Sequence, residues 1–96
     1  MKTVKAIHLG DDDTCAVLTD FAEEGDRITY HEGGAEKNIT AQEHVPIWHK
    51  IAIKAMKAGG KVYKYGAVIG IALKDIAVGE HVHTHNVHSP GKGGQT

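Results

Sequence analysis

The sequence predicts a mainly β fold from three observations: short alternating segments, frequent glycine and an internal repeat. Apolar and polar residues alternate in short runs rich in β-branched side chains, which is typical of half-buried strands. Twelve glycines among 96 residues indicate many tight turns, because glycine adopts positive φ without steric cost. Residues 51–57 could be helical, but the Gly59-Gly60 pair that follows favours a strand and a turn. The candidate strands are Thr3–Leu9, Thr14–Thr19, Arg27–His31, Lys37–Thr40, Lys50–Ile53, Lys61–Tyr65, Val68–Leu73 and Glu80–Val87.

The internal repeat is short, and its copies lie close together in the sequence. The segment Ala52–Val62 recurs as Ala72–Val82, and a looser copy runs from Leu18 to Ile28. In each copy a strand ends, a turn follows, and a glycine supplies positive φ. Asp20 and Asp75 are placed to accept hydrogen bonds from turn amides. Each turn is predicted to bury one apolar side chain: Phe21, Met56 or Ile76. We therefore expect one small, folded-over β unit rather than a solenoid.

Length, charge and cysteine content restrict the possible functions. We predict one domain over residues 1–88 and a flexible, glycine-rich tail over 89–96. So short a chain buries a modest core, which favours a partner chain or oligomerisation. Eleven basic and twelve acidic residues argue against nucleic-acid binding. Cys15 lies in an apolar run and is predicted to be a buried structural thiol. Without a signal-peptide or membrane-span pattern, the chain is predicted to be cytoplasmic and to bind no membrane.

The histidines of the last predicted strand are the first candidate site. His81, His83 and His85 alternate with other residues. Residues two apart on a strand share a face, so the three imidazoles would project together. Neutral imidazoles at that spacing can share a divalent transition metal and leave a position open for substrate. The alternative is a solvent-facing edge strand whose histidines only discourage aggregation.

Two basic segments are candidates for substrate contact. In His49-Lys50, a cation beside an imidazole could hold a carboxylate and move a proton. The alternative is a solvated lysine beside a packed histidine. Lys64 could bind an acid group from the strand that contains it, or it could simply extend its ammonium to solvent.

Asp11-Asp12-Asp13 lacks the spacing of a calcium loop and is predicted to be a solvated turn. The sequence contains no phosphate loop, nucleophile elbow or Cys-x-x-Cys pair, and hence no complete catalytic set.

Several of these segments follow one another in a recognisable order. They are Pro46–Ile53, Lys64-Tyr65-Gly66, Ile69-Gly70, Asp75-Ile76 and Gly79–Asn86. In that order the sequence resembles the N-terminal domain of the altronate and galactarate dehydratase family, to which the small subunit of sulfolactate sulfo-lyase also belongs. The resemblance covers nearly the whole chain and is weakest over residues 32–43 and the tail.

The resemblance implies a fold, an activity and a partner. The fold is a β-clip of the antifreeze-like (SAF) type. The activity is that of a lyase that depends on Fe(II) or another divalent metal and removes water from a sugar acid such as altronate or galactarate, giving a 2-keto-3-deoxy acid. The partner is a large catalytic subunit, without which the chain would be inactive, and a homo-oligomer is compatible with this. The alternatives are a sulfolactate sulfo-lyase subunit that releases sulfite, and a free-standing metal- or ligand-binding β module.

The resemblance also assigns roles to residues. Catalytic roles go to His49 and Lys50, substrate binding to Lys64, Tyr65 and Asn86, and metal binding to His81, His83 and His85. One departure is Trp48, which stands where the family usually has glycine. An indole there would narrow a pocket or pack against the partner chain. Another is Ala55-Met56 in place of the usual Asp-Ile, which we interpret as a local change in the turn.

Overall fold

The mainly β prediction is confirmed. The structure is a computed structural model that describes residues 1–8, 10, 12–64 and 66–89. These residues form nine strands: β1 (Thr3–Ile7), β2 (Cys15–Leu18), β3 (Arg27–Glu32), β4 (Ala35–Thr40), β5 (Lys50–Ala52), β6 (Lys61–Lys64), β7 (Ala67–Ala72), β8 (His81–Val82) and β9 (Val87–His88). The described part of the chain contains no helix, and therefore none that could cross a membrane.

The strands form two sheets. The larger sheet has six strands in the order β4-β3-β1-β2-β5-β8, and the smaller has three in the order β6-β7-β9. β1 and β3 pair in parallel, and the other strand pairs are antiparallel. β8 is the edge strand of the larger sheet, whereas β9 belongs to the smaller one. The chain therefore crosses from one sheet to the other between Val82 and Val87.

Two aliphatic cores support the sheets. One contains Leu18, Ile28, Val45 and Ile51, and the other contains Val62, Ile76 and Val82. Cys15 is buried in the second core, and its Sγ atom lies 3.4 Å from the Tyr63 carbonyl oxygen, to which it donates. Burial raises the pKa of the Cys15 thiol to about 11. The prediction of a buried structural thiol is confirmed.

Four turns share one geometry, although the sequence repeat indicated three. In each, the amide of the fourth residue donates to the carbonyl of the first: Asp26 to Glu23, His49 to Pro46, Gly60 to Lys57 and Glu80 to Ala77. The third residue has positive φ in every case: Gly25, Trp48, Gly59 and Gly79. This is the pattern of a type II turn, which normally requires glycine at its third position. The sequence did not indicate the turn around Trp48, because tryptophan stands there in place of the glycine that marks the other three turns.

The turns associate in two pairs. Antiparallel bridges join Ala22 to Val45 and Met56 to Ile76. The Trp48 amide donates to the Leu18 carbonyl oxygen at 3.0 Å, just as the Gly79 amide donates to Ala52 at 2.8 Å. Trp48 and Gly79 therefore occupy equivalent positions in the two pairs.

The buried side chain was predicted correctly in two turns and wrongly in one. Met56 and Ile76 are buried, but Phe21 is 44% exposed and Ala22 is buried in its place. The bridge to Val45 fixes Ala22 toward the core, which turns the preceding Phe21 outward. The Lys2 ammonium lies 3.3 Å from the centroid of the Phe21 ring.

Aspartates hold several turns. The amides of Phe21 and Ala58 donate to carboxylate oxygens of Asp20 and Asp75 respectively, as the prediction for these two residues required. The predicted solvated turn around Asp13 is wrong for that residue, which is fully buried. Its Oδ1 atom accepts a hydrogen bond from the Gly66 amide at 2.8 Å. A carboxylate that bonds the backbone of a distant segment is held inside the fold.

The predicted tail begins at Ser89, whose hydroxyl donates to the Ile69 carbonyl oxygen. The rest of that tail, residues 90–96, lies outside the described residues, as do Leu9, Asp11 and Tyr65.

Candidate metal centre

Four histidines meet where β5 and β8 pair. The register of this pair sets Lys50 opposite Val82 and Ile51 opposite His81. Continued by one residue, it sets His49 opposite His83, and their rings are stacked with centroids 4.6 Å apart. The ring of His81 lies 5.0 Å from that of His49 and 5.3 Å from that of His85. Two strands far apart in sequence thus bring these rings together.

The geometry selects three of the four rings as one set that could hold a metal ion. His49, His81 and His83 each offer a nitrogen, and the three nitrogens lie within 4.8 Å of one another. A metal–imidazole bond is roughly 2.0–2.1 Å long, so nitrogens at the upper end of this separation must approach one another to share one ion. His85 lies beside His81 but outside this set. His49, predicted as catalytic, is therefore placed among the nitrogens that can hold a metal.

The backbone that carries these histidines differs from the prediction. The predicted strand Glu80–Val87 is wrong, because β8 ends at Val82 and a turn follows. Asn86 causes the change. Its Oδ1 accepts from the His83 amide at 2.9 Å, and its Nδ2 donates to the His81 carbonyl oxygen at 2.7 Å. These bonds hold the backbone in a turn, because side-chain hydrogen bonds to the local backbone compete with extended structure. The histidines meet through a turn rather than along one face of a strand.

The surroundings lower the pKa of two of these histidines, His81 and His49. Burial is the main cause that lowers the pKa of His81 to about 4. The neighbouring imidazoles add to this effect, while the Glu43 carboxylate, which accepts from the His81 amide, opposes it. Burial likewise lowers the pKa of His49, helped by His83 and Lys50. Neutral imidazoles are the form that binds metals, so the lowered pKa values of His49 and His81 favour the binding of a divalent transition metal.

Lys50 lies at the edge of the cluster. It is half-buried at the start of β5. Together with His83 it lines a cavity of about 70 Å³, whose other lining residues are Ile69, Val82, Thr84, Val87 and Ser89. The two residues predicted as catalytic, His49 and Lys50, therefore both lie at this site.

The predicted substrate-binding residues are placed differently. Lys64 ends β6, after a register irregularity between Val62 and Tyr63 that interrupts the alternation expected of this strand. It is not among the residues that line the cavity. Asn86 is only 2% exposed, and both polar atoms of its side chain bond the backbone. Tyr65 lies outside the described residues.

Sequence reasoning missed two contributors to the site. Glu43, which bonds the His81 amide, comes from a segment with no motif. Thr84, which lines the cavity, is not among the residues predicted for the site. No local pattern indicates either residue, because their positions follow from the path of the chain between the sheets.

Trp48 immediately precedes the cluster and has an unusual backbone. Its φ is 66°, and its side chain is 62% exposed. A side chain in this left-handed region crowds its own backbone, which is why the equivalent turns use glycine. The chain thus keeps an exposed indole next to His49 at a conformational cost.

Comparison with known proteins agrees with this description. Residues 4–90 match the family described as altronate/galactarate dehydratase SAF domain. The chain is 54% identical over 48 residues to (2R)-sulfolactate sulfo-lyase subunit alpha of Paracoccus pantotrophus, covering 50% of this chain and 72% of that protein. It is 32% identical over 83 residues to the subunit of that name from Chromohalobacter salexigens, covering 84% of this chain and 88% of that one.

A longer relative matches as well. The chain is 37% identical over 78 residues to altronate dehydratase of Escherichia coli (strain K12), covering 81% of this chain. The matched region is 15% of that enzyme, so this chain corresponds to a small part of it. The family match extends over most of the chain, and the all-strand fold agrees with it. The chain belongs to the altronate/galactarate dehydratase SAF domain family.

Proposed function

We propose that this chain is the small subunit of a cytoplasmic, metal-dependent lyase that acts on a 2-hydroxy acid. The observation that carries the proposal is the meeting of three imidazoles within 4.8 Å of one another in a domain of this family. The leading reaction is the removal of water from a sugar acid such as altronate or galactarate, leaving a 2-keto-3-deoxy acid. A relative named altronate dehydratase supports this choice.

The proposal assigns a separate role to each residue of the cluster. His49, His81 and His83 would hold the ion, with His85 as a further candidate nitrogen beside His81. Imidazole ligands suit several divalent transition metals, among which Fe(II) is the candidate by family resemblance. When bound, such an ion supplies Lewis-acid polarisation of a hydroxy acid. Lys50 places a positive charge at the edge of the set, close enough to depress the pKa of His49.

A large catalytic chain is part of the proposal. The sequence lacks a complete catalytic set, and the matched region is a small part of altronate dehydratase. Two relatives are named as the alpha subunit of their enzyme, which implies a further subunit in each. Lys64 is kept as a candidate acid-binding group of the assembled enzyme, and Asn86 as the residue that shapes the histidine turn.

A second candidate function is that of a sulfolactate sulfo-lyase small subunit. The observation that favours it is the 54% identity over 48 residues to such a subunit. The two candidates differ in the group that leaves the substrate, which is water in one and sulfite in the other.

The test is to purify the tagged chain from cells that naturally produce it and to identify copurifying proteins by mass spectrometry. We expect a stoichiometric dehydratase-like large chain. The complex is then assayed with altronate, galactarate and sulfolactate for 2-keto-3-deoxy acid and for sulfite. A chain that purifies alone, binds metal and turns over none of these acids would contradict the subunit proposal and favour a free-standing binding module.

A further inference from the structure

The cavity beside the histidines is lined both by a cation, Lys50, and by a residue of the candidate metal-binding set, His83. His83 belongs both to the metal-binding set and to the lining of the cavity. Lys50 lies on the same lining. A molecule in the cavity would therefore lie against both Lys50 and His83.

Lys50 lacks a counter-ion in the part of the chain that the structure describes. Lys2, Lys37, Lys54 and Lys57 each pair with a carboxylate there, and Lys50 does not. Glu43, the acidic residue at the cluster, uses a carboxylate oxygen to accept from the His81 amide. A half-buried ammonium without a partner favours an anion in the adjoining space, because partial burial weakens its hydration.

Two hydroxyl groups line the cavity, and they differ in what they can offer an anion. The Ser89 hydroxyl already donates its hydrogen to the Ile69 carbonyl oxygen at 3.1 Å. The Thr84 hydroxyl makes no such bond to any residue described in the structure. Thr84 can therefore donate to an anion that Lys50 attracts, whereas Ser89 cannot without giving up its present bond.

The volume limits what can enter. At about 70 Å³, the cavity is roughly half the size of a protein cavity of about 150 Å³ that admits a benzene ring. One acid group of three or four heavy atoms fits such a space, but the whole chain of a sugar acid does not. The remainder of a bound substrate would extend out of the cavity, past His83.

We propose that this cavity binds one acid group of the substrate, a carboxylate or a sulfonate, through the Lys50 ammonium and the Thr84 hydroxyl. The inference rests on the proposed function for the identity of the substrate, since it assigns the acid end of that molecule to this cavity. In this proposal the acid group enters the cavity, and the rest of the hydroxy acid extends out of it.

The test is NMR titration of the isotope-labelled full chain, stripped of metal and held at constant ionic strength. The probes are D-glycerate, acetate and methanesulfonate. We expect the backbone amide signals of Lys50, Val82 and Thr84 to shift and to saturate as each acid is added. If the natural acid group is a carboxylate, acetate should bind more tightly than methanesulfonate, and if it is a sulfonate, the order should reverse. Lys50→Gln should weaken binding about tenfold or more, as expected for loss of a charge-assisted contact. Thr84→Val should weaken it by a smaller factor.

Lys61→Gln is the matched control, because Lys61 is exposed and lines no part of the cavity, and it should bind the acids as the wild type does. Shifts that rise linearly without saturation, or equal affinity in the wild type and Lys50→Gln, would overturn the inference. The titration uses neither metal nor large subunit. A failure here therefore leaves the lyase proposal standing, and a failed purification of a large chain leaves this binding result standing.

Discussion

The Nδ1 atom of His49 lies 2.8 Å from the Nε2 atom of His81. At that distance one nitrogen donates to the other, so the two neutral rings share a hydrogen atom between the atoms that face each other. An ion bound by both nitrogens would need that position. Metal binding and this hydrogen bond therefore exclude each other, and one ring must change tautomer when the ion enters.

Metal affinity should depend more strongly on the three histidines of the set than on the neighbouring His85. Loss of a residue that merely supports a ligand already costs roughly 10–100-fold in metal affinity. We expect His49→Ala, His81→Ala and His83→Ala each to weaken Co²⁺ or Fe²⁺ binding about 100-fold or more. His85→Ala should cost less, because His85 lies outside the set. Isothermal titration calorimetry of the full chain under anaerobic conditions measures all four.

The matched control for these variants is His31→Ala, because His31 is exposed and outside the cluster. It should leave metal affinity unchanged. A larger loss from His85→Ala than from His49→Ala would show that the metal uses the ligands predicted from sequence, His81, His83 and His85.

Stability should fall as the pH drops through the range in which His81 resists protonation. The pKa of His81 is about 4 in the folded chain, below its ordinary value of 6.5. Below pH 6.5 the unfolded chain therefore takes up the proton more readily than the folded chain. The stability contribution of neutral His81 is fully present above 6.5 and is lost progressively as the pH falls toward about 4.

Urea unfolding of the metal-free chain at a series of pH values measures this effect. In His81→Gln the decline between pH 6.5 and 4 should be shallower than in the wild type. His31→Gln provides the comparison for loss of an exposed imidazole. An unchanged slope in His81→Gln would contradict the burial of this ring.

Trp48 offers a test of backbone strain. The left-handed region costs a non-glycine residue roughly 1–2 kcal/mol, part of which is offset by the greater freedom of glycine in the unfolded chain. Trp48→Gly should therefore be more stable than Trp48→Ala by about 1 kcal/mol, because both variants lose the indole and only the second keeps the strain. Denaturant unfolding gives the difference directly.

Ile47, the preceding residue, is the control for this comparison, since its φ is not positive. There the order should reverse, with Ile47→Gly less stable than Ile47→Ala by about 0.4–1 kcal/mol. A Trp48→Gly variant that is no more stable than Trp48→Ala would rule out strain at Trp48.

Asn86 should matter for stability and for the histidine cluster together. Removing its buried amide leaves the His83 amide and the His81 carbonyl without these partners. Each unsatisfied buried group costs about 1–3 kcal/mol, and these two groups are only partly buried. Asn86→Ala should therefore lose about 2–4 kcal/mol of unfolding free energy, less than the upper limit for two fully buried groups. Asn38→Ala, at an exposed position of β4, should lose little. A stable Asn86→Ala variant with unchanged metal affinity would show that the turn forms without this side chain.

Cys15 should resist thiol reagents while the chain is folded. Its pKa of about 11 leaves little thiolate near pH 8, and its side chain is buried. We expect labelling of the native chain to be about 100-fold slower than labelling in denaturant, measured by the absorbance of the released chromophore. Rapid stoichiometric labelling of the folded chain would instead indicate a reactive thiol.

The local pattern of the sequence determined most strands and three of the four repeated turns. Alternation located β1 to β7 with small differences at their ends, because pleated strands place neighbouring side chains on opposite faces. Glycine marked Gly25, Gly59 and Gly79 as turn residues because positive φ is a local requirement. The sequence also determined the family resemblance, because that resemblance rests on short motifs that follow one another in a fixed order along the chain.

Only the tertiary structure decided how the histidines meet. The predicted strand through His81, His83 and His85 fails because the buried Asn86 side chain captures the backbone and ends β8. His49 joins the set through the register of β5 against β8. That register depends on the burial of Ile51 and Val82 in the cores, and packing between segments 30 residues or so apart leaves no periodic trace in a sequence.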